Sequence, residues 1–222
     1  MDKAFVLALV NDNGSARSMQ KSVGPSEIGG CRRRMWHRVN GTPTLNADTL
    51  SMAAWMGTAI HSALERKITR LDPFGERFLL EKEVTRDGIT GHVDCYDKHD
   101  REVIDWKTTT KRRLSNFPSD QQRWQVHIYG YLMIGNGYPV DRVTLVGIPR
   151  DGNELDVKVH TEDYDEDIAV QAFDWLRRIQ EVEAPPHPGE PVRFCKDYCP
   201  YYNPHAREGV LAMSDGCPGG AK

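Results

Sequence analysis

The sequence predicts a mixed α/β fold, in which helices flank a central β-sheet of mixed strand direction in the order αβββαββα. The composition is that of a globular protein, with 39% hydrophobic and 27% charged residues among 222, and a chain of this length can bury a core. Three strand-like segments, the first two joined by the turn dipeptide Asp87-Gly88, precede a helix and two more strands. Strands grouped between helices in this way predict helices packed on a sheet.

Three helices are predicted from apolar spacing and capping signals. The first covers residues 46–71, where apolar side chains recur about every 3.6 residues. The second begins at a capping box formed by Ser119 and Gln122 and ends near residue 136, before a glycine and a proline. The third covers residues 162–183, and its acidic start complements the positive end of the helix dipole.

Five strands are predicted from short runs of apolar and β-branched residues. They cover residues 78–86, 89–96, 102–107, 142–148 and 155–160. In the last of them, Leu155, Val157 and Val159 alternate with polar residues, which is the pattern of a half-buried strand.

A Pro- and Gly-rich stretch at residues 184–191 divides the chain. We expect residues 1–183 to form one domain with an N-terminal helical segment, and residues 184–222 to form a linker and a cysteine-rich tail. The apolar run at residues 4–10 is too short to span a membrane and lacks signal-peptide features. We interpret it as buried structure and expect a cytoplasmic protein with no membrane partner.

Net charge and cysteine placement narrow the choice of partners and cofactors. A net charge of -3 gives no global positive field, although short basic runs at residues 32–34 and 111–113 leave local nucleic-acid contacts open. The five cysteines are an odd number, and Cys195, Cys199 and Cys217 lie near the C-terminal end. This placement is not a disulfide framework, and in a reducing compartment clustered thiols indicate metal or cluster ligation.

Charged residues that suit metal chemistry lie on the second and third predicted strands. Asp105 and Lys107 share one face of the third strand, because side chains alternate. Asp94 lies 11 residues upstream on the neighbouring strand, where antiparallel pairing would bring the two carboxylates together. Two acids beside a lysine suit a hard cation, whereas an isolated Asp-x-Lys is more often a surface salt bridge.

Four separated motifs follow one another along the chain: Gly57-x-x-x-His61, Gly91-x-x-Asp94, Asp105-x-Lys107-Thr108 and Gln125-x-x-x-Tyr129. In type and order they resemble the PD-(D/E)xK nuclease superfamily, in particular its RecB-like exonuclease branch. The resemblance implies a restriction-endonuclease-like core and metal-dependent hydrolysis of DNA phosphodiester bonds. Glu65 and Glu83 are alternative ligands for a second metal, but an exposed salt bridge is the commoner role for such residues.

The resemblance also implies a role for each motif residue. His61, Asp94, Asp105 and the carbonyl of Trp106 would hold Mg²⁺ or Mn²⁺, and the nitrogen ligand favours Mn²⁺. Lys107 would orient water or stabilise phosphoryl charge, while Gln125 and Tyr129 would hold the lysine or the DNA backbone.

Basic and hydroxyl side chains beside these motifs are candidate DNA contacts, with Trp36 as a candidate for base stacking. They are Arg32, Arg33, Arg34, Thr108, Lys111, Arg112 and Arg113.

The segment before Cys31 is similar to the opening of iron-sulfur members of this branch, such as the AddB nuclease domain and small CRISPR-adaptation nucleases. In those members one N-terminal and three C-terminal cysteines hold a [4Fe-4S] cluster, which implies the ligands Cys31, Cys195, Cys199 and Cys217, with the tail packed back near Cys31. Four thiolates could equally hold a structural Zn²⁺, with His205 as a substitute ligand, because zinc accepts Cys₄ or Cys₃His sets. Cys95 is expected to be an ordinary buried thiol.

The expected function is therefore that of a metal-dependent exonuclease acting on single-stranded DNA or DNA ends, in recombination, repair or phage DNA processing. A helicase, a single-strand-binding protein or a recombination protein would be its protein partner. Two alternatives stay open: a prespacer-processing endonuclease of CRISPR adaptation, and a non-catalytic DNA-binding module stabilised by zinc.

Overall fold

A computed structural model of the chain describes residue 3 and residues 23–46, 52–187, 192–206 and 216–220. At its centre is a five-stranded mixed sheet whose strands lie side by side in chain order. The strands are Phe78–Arg86 (β1), Ile89–Asp97 (β2), Glu102–Thr109 (β3), Arg142–Pro149 (β4) and Lys158–Asp163 (β5). The predicted mixed α/β fold is confirmed.

Within the described residues, five α-helices accompany the sheet. They are Arg32–Val39 (α1), Met52–Leu71 (α2), Asp120–Gly135 (α3), Glu166–Gln180 (α4) and Val192–Tyr198 (α5). The first predicted helix is present from residue 52, and its residues 47–51, like the apolar run at residues 4–10, lie outside the described residues. Helix α4 begins four residues later than predicted, because the acidic residues before Asp165 continue β5 and Asp165 caps the helix by accepting a hydrogen bond from the Asp167 amide (2.9 Å).

The direction of the strands follows from their connections. Short turns make β1, β2 and β3 antiparallel neighbours, and β4 and β5 are antiparallel as well. Strands β3 and β4 are parallel, so the chain must cross the sheet between them, and α3 is that crossover. Helix α3 contacts β1 to β4, α4 packs on α3, and α1 packs on α4.

Strand β5 begins and ends three residues later than predicted and lies at the edge of the sheet. Residues 154–156 form a 3₁₀ turn, in which Asn153 Oδ1 accepts a hydrogen bond from the Leu155 amide (2.9 Å). Leu155 and Val159 are 89% and 66% exposed. The alternating apolar pattern therefore does not mark a buried face, because no further element covers this strand among the described residues.

Trp36 belongs to the core that α1 forms with α4. Its side chain is 1% exposed, and its Nε1 donates a hydrogen bond to the Val182 carbonyl (2.9 Å). The expectation that Trp36 stacks on DNA bases is wrong, since the indole lies inside the protein. None of the described helices is both long enough and apolar enough to cross a membrane.

Packing of α3 on the sheet predicts which substitutions in that helix destabilise the protein. Leu132→Ala should lower the free energy of unfolding by about 3 kcal/mol, because Leu132 is fully buried. Ile134→Ala, on the exposed side of the same helix, should lower it by less than about 1 kcal/mol. Urea unfolding measures both values, and equal losses would contradict this packing.

Candidate active site

The acidic pair lies where the ladder between β2 and β3 ends. The last paired residues are Cys95 and Ile104, so Asp94 and Asp105 come directly next on the two strands. The Trp106 amide donates a hydrogen bond to Asp94 Oδ2 (3.0 Å). A side chain thus continues the connection between the strands after the backbone ladder has stopped.

Asp105 is held from both sides. Lys107 Nζ lies 2.7 Å from Asp105 Oδ2, and Gln125 Nε2 on α3 donates to Asp105 Oδ1 (3.2 Å). Gln125 Nε2 also lies 3.1 Å from the Tyr129 hydroxyl, one turn further along the helix. Gln125 and Tyr129 therefore position the carboxylate, whereas the resemblance assigned them to the lysine or to DNA.

The close approach of α3 to β2 depends on Gly91. A Cβ atom at this position would lie 2.8 Å from Tyr129 Cε1, which is closer than real contacts allow. Gly91 therefore lets the ring of Tyr129 pack against the strand that carries Asp94.

The charged form of Asp105 is poorly solvated. The side chain is 1% exposed, and burial raises its pKa to about 6, while the Lys107 ammonium opposes this rise and the Asp94 carboxylate adds to it. A divalent cation beside the two carboxylates would compensate the charge that burial leaves poorly solvated.

Sequence reasoning missed a further candidate ligand, Glu81 on β1. Ligand atoms of His61, Glu81 and Asp94 all lie within 4.8 Å of one another, and His61 Nδ1 lies 3.3 Å from Asp94 Oδ1. The β1–β2 ladder pairs Leu80 with Cys95 and Lys82 with Val93 but skips Glu81 and Asp94. Glu81 has a φ of +46°, so the backbone departs from strand geometry at the residue opposite Asp94.

The signal that could have identified Glu81 is the hairpin turn. In a two-residue turn at Asp87-Gly88, counting back along both strands places Glu81 opposite Asp94. Glu83, the acid considered from sequence, instead pairs with His92 (Oε2 to Nε2, 3.1 Å) and is exposed. Glu65 lines a separate surface pocket on α2.

Residues from each of the four sequence motifs line one cavity of about 240 Å³. Its walls come from α2, β2, β3, α3 and the segment before α1. The lining includes Ser26, His61, Asp94, Asp105, Lys107, Gln125 and Tyr129. Imidazole, carboxylates and an ammonium thus face one space, which is what a metal-dependent hydrolytic site requires.

Residues 70–203 match the model of the PD-(D/E)XK nuclease superfamily. The chain belongs to this superfamily.

Three solved structures illustrate what the chain is similar to. The protein SSO0001 has a TM-score of 0.60 at 19% identity, covering 90% of this chain and 94% of its own. An alkaline exonuclease from Laribacter hongkongensis has a TM-score of 0.49 at 12% identity (72% and 86% covered). A phage-related exonuclease from Haemophilus somnus 129PT has a TM-score of 0.39 at 15% identity (69% and 93% covered). No curated protein matches the sequence of the chain.

A larger polar groove of about 870 Å³ adjoins the end of β3 in this nuclease fold. We call it the β3-end groove. Of the predicted DNA contacts, Thr108, Arg112 and Arg113 line it, together with further hydroxyl groups and the ring of Phe117. Lys111 does not line it, and its Nζ pairs with Asp156 Oδ1 (2.7 Å).

The three arginines of α1 have different environments. Arg32 is exposed and Arg34 is half-buried, whereas Arg33 is 4% exposed. The prediction that Arg33 contacts DNA is wrong, because a buried guanidinium does not reach a DNA backbone at the surface.

Four buried free thiols form what we call the cysteine site: Cys31, Cys195, Cys199 and Cys217. The Cys217 amide donates to the Tyr201 carbonyl (2.7 Å), and its own carbonyl accepts from the Asn203 amide (2.8 Å). The Gly219 amide donates to Cys217 Sγ (3.4 Å). His205 is exposed. Cys95 is buried elsewhere, on β2, and burial raises its thiol pKa to about 12.

The position of Glu81 predicts a role in metal binding. Glu81→Gln should weaken Mn²⁺ binding to the purified protein at least tenfold, roughly the effect of disturbing a metal-site partner, because it removes an anionic oxygen beside His61 and Asp94. The matched control, Glu83→Gln on the same strand, should leave the affinity unchanged. Calorimetry without DNA measures both, and equal affinities in the two variants would exclude Glu81 as a ligand.

Proposed function

We propose that the protein is a divalent-metal-dependent deoxyribonuclease that acts as an exonuclease on single-stranded DNA or DNA ends. The observation that carries this proposal is the convergence of His61, Asp94, Asp105 and Lys107 on one cavity. Membership of the nuclease superfamily supports hydrolysis of phosphodiester bonds.

The donor set suits Mg²⁺ or Mn²⁺. His61, Glu81, Asp94 and Asp105 would hold the ion, and the imidazole nitrogen favours Mn²⁺ over Mg²⁺. A bound ion polarises a phosphoryl oxygen and lowers the pKa of coordinated water. The resemblance adds the backbone carbonyl of Trp106 as a ligand. The backbone amide of the same residue donates a hydrogen bond to Asp94.

Lys107 is the residue suited to stabilise the negative charge that develops on the phosphate. Its ammonium lies at the wall of the cavity, 2.7 Å from Asp105. Asp105 therefore fixes the ammonium near the reacting phosphate, where a preorganised positive charge stabilises the transition state. Gln125 keeps Asp105 in place through its bond to Oδ1.

The β3-end groove suits single-stranded DNA. Arg112 and Arg113 supply positive charge for phosphates, hydroxyl groups supply hydrogen bonds, and Phe117 offers a ring on which a base can stack. Thr108 follows Lys107 directly on β3, so a strand in this groove would lead toward the catalytic lysine. Arg32 and Arg34 would contact the DNA backbone on the side of α1.

The catalytic assignment is tested by digesting linear single-stranded, linear duplex and closed circular DNA with Mn²⁺, Mg²⁺ or EDTA. Asp105→Asn and Lys107→Ala should each reduce cleavage at least 100-fold, roughly the effect of losing one electrostatic stabiliser. Lys67→Ala, an exposed lysine of α2, should cleave like the wild type.

The substrates separate the alternative functions. Metal-dependent loss of linear DNA alone supports an exonuclease, whereas nicking of circles indicates an endonuclease. DNA binding without cleavage under every metal condition would support a non-catalytic module. Full activity in Lys107→Ala would contradict the assignment of the site.

We further propose that the cysteine site holds a [4Fe-4S] cluster. Four buried thiols with an amide hydrogen bond to one sulfur suit thiolate ligation. The resemblance to iron-sulfur members of the branch, and not the spacing of the cysteines, favours the cluster over zinc.

Cys31→Ala should lose bound iron and visible absorption, together with thermal stability, because it removes the ligand that ties α1 to the tail. Cys95→Ala is the matched control: it also removes a buried thiol, and it should keep the iron. Iron and sulfide analysis of anaerobically purified protein measures the difference. A colourless wild type with one zinc per chain would show that the zinc alternative is correct.

A further inference from the structure

Arg33 is a buried charge that the proposed catalytic site does not use. Its side chain is 4% exposed, and its Nε and Nη2 atoms have no hydrogen-bond partner within the described ranges. A guanidinium stays protonated in proteins, and burying a charge without a partner costs several kcal/mol. The surroundings of Arg33 should therefore contain negative charge.

Helix α1 directs Arg33 toward the tail. Arg33 lies one turn before His37, on the same face of α1. The ring of His37 stacks on Tyr201, with 5.2 Å between centroids, and the Tyr201 carbonyl accepts from the Cys217 amide. The face of α1 that carries Arg33 thus packs against the segment that carries the cysteines.

His37 cannot supply the missing negative charge, because an imidazole is either neutral or positively charged. Burial and the nearby Arg33 guanidinium together lower its pKa to about 4, so the ring is neutral at neutral pH. The Cys217 thiol is another ionisable group near Arg33. Burial raises the pKa of the Cys217 thiol, and the charge of Arg33 opposes this rise.

A thiolate-ligated metal centre would supply a matching anion. Four thiolates around a core of charge +2 leave a net charge of about -2, for a [4Fe-4S] cluster in its oxidised state and for zinc alike. Such a centre is itself costly to bury unless cations lie beside it. A buried arginine and a buried tetrathiolate centre would therefore stabilise each other.

We propose that Arg33 is the counter-charge of the cysteine site: a positioning residue that stabilises an anionic metal centre in the protein interior and sets its reduction potential. This inference rests on the proposed cysteine-ligated metal. It separates Arg33 from its neighbours Arg32 and Arg34, which stay candidate DNA contacts.

The test compares Arg33→Met, Arg33→Lys and the exposed control Arg32→Met as full-length, anaerobically purified proteins. The measurements are the midpoint potential, from a titration followed by cluster absorbance, and the rate of iron loss to a chelator. Arg33→Met should have a more negative potential, because reduction adds an electron to a centre that has lost its cation, and should lose iron at least tenfold faster. Arg33→Lys should stay close to wild type, and Arg32→Met should match it.

Each other outcome has a definite meaning. An unchanged potential and unchanged iron loss in Arg33→Met overturn the inference. Equal iron loss in Arg33→Met and Arg33→Lys overturns it as well, since shape and not charge would then matter. If the wild type holds zinc, the cluster proposal fails, and zinc release in the same three variants tests the counter-charge. A wild type that binds neither metal overturns both proposals.

Discussion

The Asp94 carboxylate is the point on which the catalytic cavity depends. It accepts a hydrogen bond from the Trp106 amide just after the β2–β3 ladder ends, and it contacts His61 of α2. It also faces Glu81 at the interruption in the β1–β2 ladder. Three elements thus meet at one buried side chain. Because each contact orients the next, removing the carboxylate would disturb the strands as well as the ligand set.

The buried carboxylates that suit this cavity to metal binding are unfavourable for folding. Two carboxylates lie close together in the interior, and their charged forms are stabilised by one lysine, one imidazole and two amide donors, those of Gln125 and Trp106. The raised pKa of Asp105 records the remaining electrostatic cost. The packing of the sheet and α3 around the site compensates for this electrostatic cost. A bound cation would reduce the cost further.

The segment between residues 23 and 31 links the catalytic cavity to the cysteine site. Gly24, Pro25 and Ser26 line the cavity, and the Ser26 carbonyl accepts from Gln121 Nε2 on α3 (2.8 Å). The same segment leads directly to Cys31 at the start of α1. A metal centre that holds Cys31 in place would therefore also stabilise one wall of the candidate catalytic cavity. It would do so although the cysteines are not among the candidate ligands of the catalytic metal.

The sequence by itself determined the elements and the motif order, because helical spacing, the capping box at Ser119 and the turn at Asp87-Gly88 are local signals. It also predicted the acidic pair, since strand alternation and a short turn leave little freedom in register. Only the tertiary structure decided which side chains are buried and which are exposed. Trp36 and Arg33 lie inside because α1 packs on α4 and the tail. Val159 lies outside because β5 is an edge strand, and Leu155 lies outside in the 3₁₀ turn before it. The hairpin register could have placed Glu81 opposite Asp94, but only the structure shows that a Glu81 oxygen lies within 4.8 Å of ligand atoms of His61 and Asp94.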